Sequence, residues 1–278
     1  MSAIFLQTIE RVTRELPGAF AVCAERLDAA DGHVRLAANE ARVFPAASVI
    51  KLAVALEVLC AIEEGTLDAS SRLALRESDK VLGSGVLSAL DPGLELRVAD
   101  LLYLAMAISD NTAANLLVER VGVHAVNARL TRLGLVTTRL RGRIFVAGED
   151  GERSPSTAAE LVVLLRAVHR AEGLPPRACE RLLALLARTQ TASTVGRGLP
   201  DERFPRLGGD APAITLAYKT GSLEGVVAEA AVVSAPGATY AIAVMSEGSG
   251  DIRPNHDNIG RVMLGEVSRA VYETFRAT

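Results

Sequence analysis

In the stretch FPAASVIKLAVALEVL (residues 44–59), Ser48 and Lys51 stand three positions apart at the start of a run that is apolar on nearly every side of a helical wheel. Lys51 and Glu57 are the only charged residues between positions 49 and 62. An ammonium buried without a partner is costly or gives up its proton, so Lys51 is paired, reaches the surface, or is used. On the first turn of a helix, Ser48 Oγ and Lys51 Nζ would project from the same side. A lysine desolvated there would have a lowered pKa and could take the proton of a hydroxyl that is too weak a nucleophile alone. The free N–H groups of a helix start could hold the developing oxyanion. The same pair also allows a structural reading, with Ser48 as a cap and Lys51 solvated.

Two further triplets sit at element boundaries. Ser109-Asp110-Asn111 follows the apolar run LLYLAMAI and opens TAANLLVERVG, and Lys219-Thr220-Gly221 ends the strand-like ITLAY and is followed by Ser222. Each triplet alone is ordinary capping or strand-end chemistry.

Elements must hold these residues in place. The N-terminal MSAIFLQTIERVTRELPG reads as an amphipathic helix, and residues 18–27 and 33–37 as a hairpin turning at 28–32. The middle is helical, with helices predicted over 48–64, 98–108, 112–121, 124–133, 157–171 and 176–187. Strand patterns return at 214–219, 226–234 and 239–246, with Ala235-Pro-Gly-Ala238 as a hairpin turn, before a closing helix near 258–275. This order predicts an α/β fold of the α+β type. One antiparallel sheet of about five strands would come from both termini (1–47 and 210–278) and be flanked by helices, with an all-helical domain (48–209) inserted.

Composition narrows the partners. The 278 residues are 49% apolar with a formal net charge of −3 and interspersed charges, enough for a large core. There is no basic stripe for nucleic acid and no polybasic anchor or spanning run for a membrane, so the expected partner is a small molecule. No oligomeric state is implied. Cys23, Cys60 and Cys179 are widely spaced, and His33, His124, His169 and His256 are isolated, so no metal and no cofactor are expected. Glu10 and Arg11 after a brief apolar patch do not make a signal peptide. As the chain stands, this favours the cytoplasm, and a periplasmic or secreted place if a leader was removed.

S-x-x-K, S-D-N and K-T-G in this order are the signature of class A β-lactamases and penicillin-binding proteins. From about its first helix to its last, the chain resembles the class A β-lactamase family of serine hydrolases. The resemblance implies that Ser48 is the acylated nucleophile, Lys51 its base or proton relay, and Ser109 the donor to the leaving nitrogen. It implies that Asn111 binds the substrate's amide and helps hold Lys51, that Lys219 and Thr220 bind a carboxylate, and that Gly221 allows close approach. The N–H groups of Ser48 and Ser222 would form the oxyanion hole, and Asp110 would cap and scaffold. Two departures stand out. The region TTRLRGRIFVAGEDGERSPSTAAELVVLL has no E-x-x-L-N; before the helix that holds Glu160 its only carboxylates are Glu149, Asp150 and Glu152, which puts deacylation in question. Residues 226–252 also contain no arginine to act as a second cation. The readings are a β-lactam hydrolase with slow deacylation, an esterase or peptidase with the same acyl-serine chemistry, and a non-catalytic binding protein or covalent trap.

Overall fold

The computed structural model describes residues 2–29, 34–144, 153–200 and 213–277. In chain order its helices are α1 (Ala3–Glu15), α2 (Lys51–Glu63), α3 (Val98–Ala107), α4 (Asn111–Val121), α5 (Val123–Arg132), α6 (Ala158–Arg170), α7 (Pro176–Leu186), α8 (Thr194–Arg197) and α9 (Ile259–Arg276). Its strands are β1 (Ala19–Arg26), β2 (Arg35–Ala38), β3 (Val43–Pro45), β4 (Arg72–Ala74), β5 (Glu95–Arg97), β6 (Pro155–Thr157), β7 (Thr215–Leu223), β8 (Val226–Ala235) and β9 (Ala238–Glu247). The chain divides into two compact units. One holds Met1–Val49, Ser156–Arg166 and Ala192–Thr278, and the other Ile50–Pro155 and Ala167–Thr191.

The first unit is built on a five-stranded sheet of order β2-β1-β9-β8-β7, antiparallel throughout. Its two C-terminal hairpins turn on two residues each, Glu224-Gly225 and Pro236-Gly237, and both glycines have positive φ (67° and 83°), which costs a residue without Cβ little. β8 and β9 lie inside the sheet and are buried along most of their length, which is why they read as near-continuous apolar runs instead of alternating ones. α1 and α9 pack on each other, and Phe5, Val12, Val22, Ile242, Leu264 and Val271 meet in the core between them and the sheet. Tyr240 meets Phe275 edge to face at 5.2 Å.

Two local features depart from the sequence reading. The helix expected from Ser48 is preceded by a 3₁₀ turn, Ala47–Ile50, and α2 begins at Lys51. β7 does not stop at Lys219 but runs on to Leu223, so Lys-Thr-Gly-Ser lies within the strand.

In the second unit α2 is the central helix. Every residue from Lys51 to Ala61 is buried, and α3, α4, α5 and α7 pack around it, so no side of this helix needs to be polar. Glu57 is accounted for by Arg129 of α5, whose Nε donates to Glu57 Oε2 at 2.7 Å while its Nη2 pairs with Glu64 at 2.9 Å. The Glu57 and Arg129 side chains are only 9% and 8% exposed, so each is the other's main compensation for lost water. Arg129→Met should therefore lower unfolding free energy by about 3–5 kcal/mol, because Glu57 stays buried and unpaired. The double variant Glu57→Leu/Arg129→Met should recover most of that loss in urea unfolding; equal stability of single and double variants would refute the coupling.

Candidate active site

The predicted residues fall into two groups by unit. In the helical unit, Lys51 is 1% exposed, and its Nζ donates to Ser109 O at 2.5 Å, Ser109 Oγ at 3.1 Å and Asn111 Oδ1 at 2.6 Å. The sequence left three fates open for this lysine, and the geometry makes it a buried, partnered one.

Its acceptors come from the short turn between α3 and α4. Ser109 has φ 60°, a left-handed conformation that costs a residue with Cβ on the order of 1–2 kcal/mol. Its carbonyl oxygen is held by both Lys51 Nζ and Ser84 Oγ, the latter at 2.7 Å. Asp110 caps α4, its Oδ1 accepting from Ala113 N at 2.9 Å, while Oδ2 accepts from Val86 N (2.7 Å) and Leu87 N (2.9 Å). That is the capping and scaffolding role the sequence assigned to it. The loop at residues 81–87 is tied down further by Asn111 Nδ2 to Leu82 O (2.9 Å), Asn111 N to Ser84 O (2.9 Å) and Val81 N to Thr112 Oγ1 (3.1 Å). Gly85 completes the fit, since a Cβ there would lie 2.3 Å from the Asp110 carboxylate. The sequence marks residues 81–86 as a loop that shapes the pocket but gives Ser84 no role of its own; the flanking Gly83 and Gly85, both with positive φ in the structure, let the loop fold back.

In the sheet unit, Ser48 lies in the 3₁₀ turn after Ala47, which has φ 47°. β7 is the edge strand of the described sheet. A Cβ on Gly221 would come within 2.9 Å of Ala46 O and 3.0 Å of Ser48 N. The glycine is therefore required by the approach of the chain's own backbone.

Lys219 is 0% exposed and donates to Thr220 O at 2.7 Å. Burial pulls its ammonium down to about 7, against the attraction of Glu229. Glu229 on β8 is also 0% exposed. Burial pushes its carboxyl up to about 7, although Ser193 Oγ, the N–H groups of Thr194 and Val195, and the charge of Arg261 all favour the ionised form. Ser222 is exposed, and Arg261 Nη2 of α9 donates to its Oγ at 2.6 Å. Arg261 and Glu229 were also missed. Arg261 looked like part of a solvated helix face, whereas Glu229, a lone charge in an apolar strand, carried the signal that had singled out Lys51. Glu149, Asp150 and Glu152 lie outside the described residues. Among the described residues no cluster suits a metal, and no helix is long and apolar enough to cross a membrane.

Comparison with known proteins identifies the family and the fold. The model of the beta-lactamase enzyme family matches residues 5–275. A beta-lactamase from Sphaerobacter thermophilus is 28% identical in sequence, with TM-score 0.84 over 99% of this chain and 97% of that one. PBP-A is 27% identical, with TM-score 0.85 over 100% and 97%. A mutant of PBP-A solved as its acyl-enzyme complex with penicillin G matches at 27% identity and TM-score 0.84, over 99% and 97%. Beta-lactamase BRO-1 of Moraxella catarrhalis is 29% identical over 93 residues, 33% of this chain and 30% of that protein's length.

The bonds of Asp110 generate a direct test. Asp110→Ala removes one helix cap and two charge-assisted bonds, so unfolding should be easier by about 2–4 kcal/mol. Amide hydrogen exchange at Val86 and Leu87 should accelerate well beyond that at the rest of the unit. Protection of these two amides at the wild-type level would show that the loop is held by something else.

Proposed function

This chain belongs to the beta-lactamase enzyme family, and from that premise we propose that it is a serine hydrolase which takes the acyl group of a small β-lactam onto Ser48 Oγ. The observation that carries the proposal is the buried Lys51 side chain, bonded to Ser109 Oγ and Asn111 Oδ1 at the start of the helix that follows Ser48. Lys51 reacts as the neutral amine: Ser48 Oγ attacks the ring carbonyl carbon as its proton passes to that amine, which becomes the ammonium. The oxyanion is held by the backbone N–H groups of Ser48 and Ser222. The carbon–nitrogen bond then breaks, and Ser109 Oγ gives its proton to the departing nitrogen while Lys51 returns one to Ser109. Asn111 orients the substrate amide, and Lys219 and Thr220 recognise the substrate carboxylate. Arg261, from the same unit as Lys219 and bonded to Ser222, is the second cation that residues 226–252 lack. The name of BRO-1 and the penicillin adduct of the PBP-A mutant support β-lactams as the substrate class.

Deacylation is slow in this reading, because residues 137–165 contain no E-x-x-L-N glutamate to activate water. The same observation favours a covalent trap as the second reading, in which acylation proceeds and release does not.

Intact-protein mass spectrometry with penicillin G should show one adduct on the wild type and none on Ser48→Ala. Lys51→Ala should slow adduct formation by roughly 10²–10⁴, the usual worth of general-base help. An adduct carried by Ser109, or one that survives in Ser48→Ala, would overturn the assignment.

With a chromogenic cephalosporin, product should appear in a burst near one equivalent per protein and then at a much lower rate. A covalent trap stops after the burst. Fast, burst-free turnover that collapses in Glu149→Gln or Glu152→Gln would mean that this loop does supply a base.

A further inference from the structure

Away from the residues assigned to acyl transfer, the helical unit holds a groove of about 530 Å³ where α2, α3 and α7 pack together. Its floor is apolar: Leu59 of α2 and Leu102 of α3 are buried, and Leu185 of α7 is half-buried beside them. Three guanidinium groups stand around that floor, those of Arg97, Arg181 and Arg188, and among the described lining residues Asp100 is the one carboxylate. In a chain with a net charge of −3 this is a local excess of cations.

The three cations are not equally engaged. Arg97 closes a bidentate pair with Asp100, Nε to Oδ2 at 2.9 Å and Nη2 to Oδ1 at 2.7 Å, and Arg181 shares Glu63 at 3.4 Å. Arg188 lies over the Tyr103 ring, 4.5 Å from its centroid, and among the described residues its guanidinium has no carboxylate partner. Stacking occupies the face of a guanidinium and leaves its N–H edge for an oxyanion. Tyr103 adds a donor, since its hydroxyl accepts from Gln190 Nε2 at 3.2 Å and its own hydrogen is left for a ligand. A matching ligand has an apolar body for the leucine floor and one anionic end for Arg188 and Tyr103. The volume is that of an ordinary small-molecule site, about 300–1,000 Å³.

We propose that this groove is a second binding site of the protein, for small amphipathic anions of the aryl carboxylate or aryl sulfonate class. It stands independently of the acyl-transfer reading. One contact links it to the Ser109 turn: the carbonyl of Leu104, which lines the groove, accepts the N–H groups of Ile108 at 3.3 Å and Asp110 at 3.1 Å.

The test is titration of the full chain with naphthalene-2-sulfonate, followed by calorimetry and by amide chemical shifts, with neutral naphthalene-2-methanol and inorganic sulfate as comparison probes. The sulfonate should bind at one equivalent, about tenfold or more tighter than either comparison probe, and more weakly as salt screens the exposed charges. Shift changes should centre on Tyr103, Leu104, Ala184 and Leu185 and run on to Ile108 and Asp110. Arg188 is exposed, so Arg188→Gln should fold normally and cost about tenfold in affinity, the worth of a hydrogen bond to a charged group. Ala184→Phe, at an exposed position of α7 in the lining, sets a ring in the groove and should abolish binding. Shift changes centred on Lys219 and Ser222, or an affinity unchanged in both variants, would overturn the proposal. Equal binding of the neutral probe or of sulfate would do the same, because the site would then select only one half of the ligand. A dimer in sedimentation equilibrium that Ala184→Phe dissociates would overturn it too, by giving the groove to a second copy of the chain.

Discussion

An ammonium taken out of water must keep its hydrogen bonds, and the architecture around Lys51 follows from that demand. The acceptors are supplied by a turn that would not form cheaply by itself. Ser109 adopts a left-handed conformation, its carbonyl is claimed by Lys51 and Ser84, and Asn111, the first residue of α4, offers its side-chain oxygen. Hydrogen bonds to charged groups contribute about 1.5–3 kcal/mol each, enough to outweigh the strain of one such residue. Asp110 then carries the order outward by gripping the loop at residues 81–87. One buried charge thereby organises a loop that has no regular structure of its own beyond short turns.

The buried charges of this chain divide by what surrounds them. Glu57 and Arg129 neutralise one another and have no chemical work assigned to them. Lys51 instead donates to a serine hydroxyl, a carbonyl and an amide, groups that the site assigns to substrate chemistry. Lys219 and Glu229 are intermediate: burial pulls the lysine down and pushes the carboxyl up, each to about 7, and the charge of Glu229 offsets only part of that fall at Lys219. Two lone charges in one apolar helix, indistinguishable by pattern, thus have opposite meanings once their neighbours are known.

The sheet, the central helix and the three motifs were legible because they rest on strong local signals. An all-round apolar helix admits one reading, and two-residue turns such as Pro236-Gly237 close hairpins wherever strands flank them. The end of β7 was misread because Thr-Gly-Ser resembles a strand terminus, whereas Gly221 is there to let Ala46 and Ser48 approach an edge that continues. The three-residue strands are too short to show a period. Arg261 was hidden for a different reason: a cation one turn into an amphipathic helix looks solvated until the partner from a distant strand is known. Ser84 became visible only through the carbonyl of Ser109, a contact between segments with no shared pattern.

The alternation along β7 has a consequence for how such a protein can diversify. Gly221 is walled in by backbone, which cannot yield as a side chain could, while its neighbour Ser222 stands in the open. Along this rim, then, one position is closed to drift and the next is free to vary, tethered only through its hydroxyl to Arg261. Natural variants that retune the rim should accumulate at Ser222 and around it, leaving the glycine as a fixed hinge-pin between them.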